Sequence, residues 1–274
     1  MNRHLERRIE LVARKGFEQS YLSAQMQLAG IAEIQSPEDD SWMTRLESAR
    51  IDLFDAIGKT EDATQYYKAY IMYIAAPLFT LPLLKGTVDD KILNSNFKAI
   101  RKEFVQITRQ IGEDTTASRE MYRQALTQEE ADMFLKSHGE LLGIGSEAAI
   151  MASLLTMPIY ERGYIPLPAF TWEDDGKYNL LHHRYADSAD ESTLIDIKLV
   201  PLDNNTLPIK IQVKTRARDA KKYAGDITVI NCLDVVNAIS PGKGILTLPE
   251  LFSSISDNTE RAKMMQTVGA LLAR

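Results

Sequence analysis

Apolar residues in the first half of the chain recur every three or four positions, the period of an amphipathic helix. Leu5, Ile9 and Val12 form one stripe, Leu46, Leu53 and Phe54 a second, and Leu93, Phe97, Ile100, Phe104 and Ile107 a third. Ser36-Pro37-Glu38-Asp39 and Thr127-Gln128-Glu129-Glu130 are helix-start signals, the second a capping box. The pattern predicts an all-helical domain of five or six helices over residues 1–140. From about 141 the texture changes. A helix over Ser146–Met157 leads into β-branched and aromatic runs at 164–172, 193–200, 208–215 and 226–233, each read as a strand. Helix returns through Thr247-Leu-Pro-Glu250 and Asp257-Asn-Thr-Glu260, with Met264, Met265, Val268, Leu271 and Leu272 on one stripe. The expectation is an α/β (α+β) protein, with a second domain over 141–274.

Composition narrows the function. The 274 residues are 45% hydrophobic and 26% charged, an ordinary globular balance. The most apolar run, Ile71 to Leu84, is interrupted by Pro77 and Pro82 and is too short to span a bilayer. It is expected to be a buried helix ending at one of those prolines, so no membrane partner is predicted. The opening MNRHLERRIELVARKG mixes charges of both signs, unlike a secretory signal. A single cysteine, Cys232, excludes an intrachain disulfide framework and fits a reducing, cytoplasmic setting. Net charge is −6, of which residues 1–140 contribute −4 (18 basic, 22 acidic), against a surface that is a nucleic-acid footprint all over. It leaves room for a local basic site.

Several familiar chemistries are absent from the pattern. Gly143-Ile-Gly145-Ser-Glu-Ala148 matches the dinucleotide fingerprint, but Ala131–Leu142 before it is helical where a strand is required. Gly242-Lys243 is followed by Gly244, so there is no phosphate loop, and no G-x-S-x-G elbow occurs. His182 and His183, adjacent on an expected strand, would point to opposite faces rather than chelate one metal.

Thr193–Thr215 is more informative. It predicts two strands around Asp203-Asn204-Asn205. Ile195, Ile197 and Leu199 share one face of the first strand, Asp196 and Lys198 the other. Ile209, Ile211 and Val213 share one face of the second, Lys210, Gln212 and Lys214 the other. Symmetry about Asn204 sets Asp196 opposite Gln212 and Lys198 opposite Lys210. Opposed Cβ atoms lie about 5 Å apart, within reach of a shared ion or water. Lys210, Lys214, Arg216, Arg218, Lys221 and Lys222, set against Asp219 alone, then form a local basic segment suited to backbone phosphates.

An acid on a helix (Glu147), an acid at a strand (Asp196) and Gln212-Val213-Lys214 on the next strand resemble the signature of the PD-(D/E)xK, or restriction-endonuclease-like, nucleases. The resemblance covers roughly residues 128–235. It implies a mixed β-sheet flanked by helices and a metal-dependent endonuclease cutting phosphodiester bonds, with DNA the expected substrate. Catalytic roles fall on Glu147, Asp196, Gln212 and Lys214. Oxygen ligands to Mg²⁺ or Mn²⁺ come from Glu147, Asp196, Gln212 and the Val213 backbone. Lys198, Lys210, Arg216, Arg218, Lys221 and Lys222 are the expected nucleic-acid contacts. The helical domain would recognise substrate or form a homodimer. Gln212 stands where a second carboxylate is more common, which keeps a non-catalytic nucleic-acid-binding or scaffold protein as the alternative. The ten residues between the third and fourth strands, 216–225, are few for the usual helical crossover.

Overall fold

The computed structural model describes residues 3–34, 36–85, 87–156, 163–169, 195–202, 207–215, 227–239, 248–255 and 258–273. By internal packing the chain forms two compact units, Met1–Ile100 and Arg101–Arg274. The change of sequence texture near 140 is therefore not the packing boundary, which falls inside a helix. Residues 101–140 share the helical period of the first half, and that period does not say which body a helix joins.

Unit 1 begins with α1 (Arg3–Ala32) and α2 (Ser41–Gly58), an antiparallel pair. Ser20 donates to Asp55 at 2.6 Å and Ser23 to Asp52 at 2.7 Å, so rising positions on α1 meet falling ones on α2. Ala24, Leu28 and Ile31 pack in the core with Ala49, Leu53 and Ala56. The start signal at Ser36–Asp39 folds as the preceding turn, with the Asp39 N–H bonded to the Ser36 carbonyl, and α2 opens five residues later than that signal at Ser41. Helix α3 (Ala63–Ala75) is capped by Asp62, whose carboxylate accepts the Gln65 N–H at 2.9 Å. A 3₁₀ turn (Ala76–Thr80) and the single turn α4 (Leu81–Leu84) continue it. The regular α-helix thus ends at Ala75, just before Pro77, as expected, and Pro77 and Pro82 sit at the first positions of the short turns that follow, where proline's missing N–H costs nothing. The resulting stretch Ala63–Leu84 reaches the length and mean hydropathy (1.3) of a membrane span, but 67% of that window is buried inside the protein, as in a core helix.

Helix α5 (Asp90–Gln124) carries the third stripe, and all five of its predicted apolar residues are buried. Helix α6 is one continuous element, Gln128–Thr156, that begins at the capping box instead of at Ser146. The Thr127 hydroxyl accepts the Glu130 N–H, and the Glu130 carboxylate accepts the N–H groups of Leu126 and Thr127 at 3.0 and 3.1 Å. Gly143 and Gly145 thus lie within a helix. Gly145 is a packing residue: the Phe252 ring occupies the space a Cβ would need.

Four strands form a mixed sheet in the order β1-β2-β3-β4: β1 (Tyr164–Pro168), β2 (Ile197–Pro201), β3 (Ile209–Lys214) and β4 (Ile227–Asn231). The first three are antiparallel neighbours and β4 runs parallel to β3. On β1 the odd-numbered residues face β2: Gly163 accepts from Leu202 at 2.7 Å and Ala169 donates to Asp196 at 3.0 Å. Pro166 and Pro168, at even positions, fall where an N–H would point away from the sheet, so the ladder loses no bond. Helix α6 packs on β1 and β3. Helices α7 (Cys232–Ile239), α8 (Leu248–Ser254) and α9 (Asn258–Leu272) follow, with Val235, Val236, Phe252, Met264 and Val268 buried. The chain is α+β: helices dominate a small mixed sheet.

Candidate functional site

The hairpin register is the one that symmetry about Asn204 predicts. Ile197 pairs with Ile211, Lys198 with Lys210 and Leu199 with Ile209. Ile197, Leu199, Ile211 and Val213 are buried, which fixes the opposite parity for Lys198, Lys210, Gln212 and Lys214. The turn itself, 203–206, lies outside the described residues.

Asp196 departs from the regular ladder. Its N–H donates to the carbonyl of Ile211, which is already the register partner of Ile197. Two successive residues facing one is the geometry of a β-bulge, a device that re-aims a side chain. Here it turns the carboxylate onto the next strand. Asp196 Oδ2 accepts the Gln212 side-chain amide and the Val213 backbone N–H, both at 2.7 Å. Gln212 is 2% exposed and its Oε1 has no hydrogen-bond partner among the described residues. With the amide nitrogen spent on Asp196, the orphan atom is a carbonyl oxygen. A buried acceptor left without a donor costs about 1–3 kcal/mol and calls for an explanation.

Glu147 arrives from α6. It is the one charged residue between Glu140 and Thr156, half-buried in a stretch whose neighbours Ser146, Ala148, Ala149 and Ile150 are fully enclosed. Glu147 and Asp196 both act electrostatically on Cys232, the first residue of α7. That buried thiol is pushed up to about 12, chiefly by burial. A hydrogen bond with Ser146 opposes the shift, and the charges of Glu147 and Asp196 both add to it. Lys214 is half-buried on β3, paired in register with Asn231.

Asn231, Cys232 and Ser146 escaped the sequence-based assignment. Asn231 is 5% exposed and its Oδ1 accepts the Leu233 N–H at 3.0 Å, capping α7 at the strand–helix junction. An Asn closing a β-branched run ahead of Cys-Leu-Asp is a readable cap signal. Cys232 and Ser146 carry no local signal, because they meet only when β4 docks beside β3. Arg216, Arg218, Lys221, Lys222, His182 and His183 lie outside the described residues.

No family model matches the chain, and no curated protein or solved structure matches it either. The case for a site rests on the residues alone.

Among the described residues no group of three or more His, Cys, Asp or Glu is placed to share an ion. The oxygen donors on offer are two carboxylates and the Gln212 carbonyl. That set suits a hard divalent cation holding several waters better than a fully protein-caged one. The unpartnered, buried Oε1 fits such a group, since a cation would satisfy the lone pairs the protein leaves bare. Val213 meets Asp196 through its N–H, so its carbonyl remains the atom for the ligand role.

Proposed function

We propose that this protein is a metal-dependent nuclease of the PD-(D/E)xK kind, acting on DNA. The observation that carries this is the Asp196–Gln212 pair. One carboxylate oxygen of Asp196 is clamped by Gln212 and Val213, while the buried Gln212 Oε1 is left to face a ligand. Supporting it are the order helix, three antiparallel strands and a parallel fourth, and the electrostatic action of both Glu147 and Asp196 on Cys232. Residues 215–226, which join the parallel strands β3 and β4, are enough for a crossover.

Glu147, Asp196 and Gln212, with the Val213 carbonyl, would hold Mg²⁺ or Mn²⁺. When bound, the ion supplies Lewis-acid polarisation of the phosphate and makes a nearby water more acidic. Lys214 orients the attacking water and offsets charge building on the phosphate. Lys198 and Lys210, opposed in register, set two positive charges on the parity of Gln212 and Lys214, where a backbone phosphate would neutralise their repulsion. One observation favours the non-catalytic alternative: Gln212 and Val213 both donate to Asp196, so this carboxylate ties the two strands of the hairpin together as a scaffold would.

The test is cleavage of mixed DNA and RNA substrates with Mn²⁺ by wild type, Asp196→Ala and Lys214→Ala. The nuclease proposal expects both variants to lose at least about a hundredfold in rate, the scale for removing an electrostatic or acid–base group. Equal residual cleavage in all three proteins marks a contaminant and sinks it.

A further inference from the structure

Helix α2 turns Ala49, Leu53 and Ala56 inward and leaves a second stripe uncovered. Along it Met43 is 50% exposed, Ile51 61% and Phe54 71%. Large apolar side chains so far out of a core, gathered on one helix face, mark an interaction surface better than single exposed residues do. The stripe itself lines a groove of about 660 Å³, to which Trp42 and Tyr73 also contribute. Trp42 Nε1 is buried there with no acceptor among the described residues.

Met43, Glu47, Arg50 and Phe54 follow one another at spacings of four, three and four residues, the spacing of a helix–helix seam. The seam runs about 17 Å at 1.5 Å per residue. Its positions are symmetric about their middle, with complementary side chains at each pair. Met43 and Phe54 are equally far from a centre between Ser48 and Ala49, and so are Glu47 and Arg50. Leu46 and Ile51 flank the seam at equal distances from that centre. A two-fold axis through it lays α2 antiparallel on the α2 of a second copy. Each Met43 then meets a Phe54, and each Glu47 meets an Arg50, twice over. Self-complementarity of this kind is what an isologous dimer requires. Arg50 is held for the purpose: its Nη2 donates to the Tyr73 hydroxyl at 2.8 Å, and its guanidinium carbon lies 4.9 Å from that ring's centre.

We propose that the exposed face of α2 is where two copies of this chain associate, antiparallel about the Ser48–Ala49 centre, with reciprocal Glu47–Arg50 ion pairs between apolar Met43–Phe54 contacts. An unrelated partner helix would need only a matching apolar ridge. Opposite charges at symmetric positions favour a second copy, and this holds whether or not the protein is a nuclease.

The test is sedimentation equilibrium of the full chain. Wild type is expected to dimerise, and Glu47→Arg and Arg50→Glu to be monomeric at the same concentrations. The double swap is expected to dimerise again. Mixing the two single variants is expected to give a heterodimer, because every contact then joins opposite charges. Both positions are exposed, so circular dichroism should match wild type, and the recovery of dimer by the double swap and by mixing separates lost association from lost folding. A wild type that stays monomeric at high concentration, a dimer indifferent to Glu47→Arg, or single variants that fail to pair on mixing would each overturn the proposal.

Discussion

Cys232 shows how far one residue's environment can outweigh its position. At the first turn of a helix a thiol ordinarily ionises more easily, yet burial dominates here and the pKa rises to about 12. The folded state therefore holds the proton more tightly than the unfolded chain, whose thiol has the ordinary value of 9.0. Below pH 9 both states are protonated and the stabilisation is fully present. Between about pH 9 and 12 only the unfolded chain ionises, so stability falls across that window. Urea unfolding of wild type and Cys232→Ala through this range should show the steeper loss in wild type. Parallel curves would mean that the thiol is not held as described. At neutral pH the same thiol should resist alkylation until the protein unfolds. Asp196 and Gln212 were legible beforehand because a hairpin's symmetry sets its register from sequence alone. The bulge that brings Asp196 onto Val213, and the meeting of Cys232 with Ser146, were not. Both depend on contacts between distant parts of the chain.

At the scale of elements, local signals translated well and orientation did not. The Thr127–Glu130 box is where α6 starts, since capping needs only four neighbouring residues. The Glu130 carboxyl sits below its ordinary range, first through the Leu126 N–H, then through the N–H and hydroxyl of Thr127. A lowered folded pKa contributes stability above the unfolded value, and that contribution is lost as pH falls through the folded one. Thr127→Ala should cost about 1 kcal/mol by removing a cap. Hydrogen exchange should report fraying of the first turn of α6, and the gap from wild type should narrow in acid. An equal gap at pH 3 and pH 7 would count against the box. Phe54 is the contrary case. Periodicity groups it with Leu46 and Leu53, yet Leu53 is buried and Phe54 is 71% exposed. A helical period says that a face exists. It does not say what covers it.

For the whole molecule, sequence texture and packing divide the chain at different places. The texture changes where strands begin, while the compact units meet within α5, at Ile100 and Arg101. Residues 1–100 hold 12 basic and 14 acidic side chains and residues 101–274 hold 20 and 24, so neither unit is basic as a body. A polyanion would find no basic surface at the scale of either unit. The mixed sheet was legible as four strand-like runs. Its parallel fourth strand was expected only through the crossover that the family resemblance implies, because a hydrophobic run carries no direction of its own.

Among the described strands, β1 lies at one margin of the sheet. Of the three outward positions on β1, Tyr164, Pro166 and Pro168, the two prolines offer no N–H on which a further strand could be templated. Growth by sheet extension is thus discouraged at this margin. Restoring the donors with Pro166→Val and Pro168→Val should leave the internal ladder intact and make the protein prone to fibrillar aggregation, seen as thioflavin fluorescence and light scattering on mild heating. A double variant as clear as wild type would show that the margin is protected by something else. Two residues that look like breaks in a strand serve, at this margin, as its insulation.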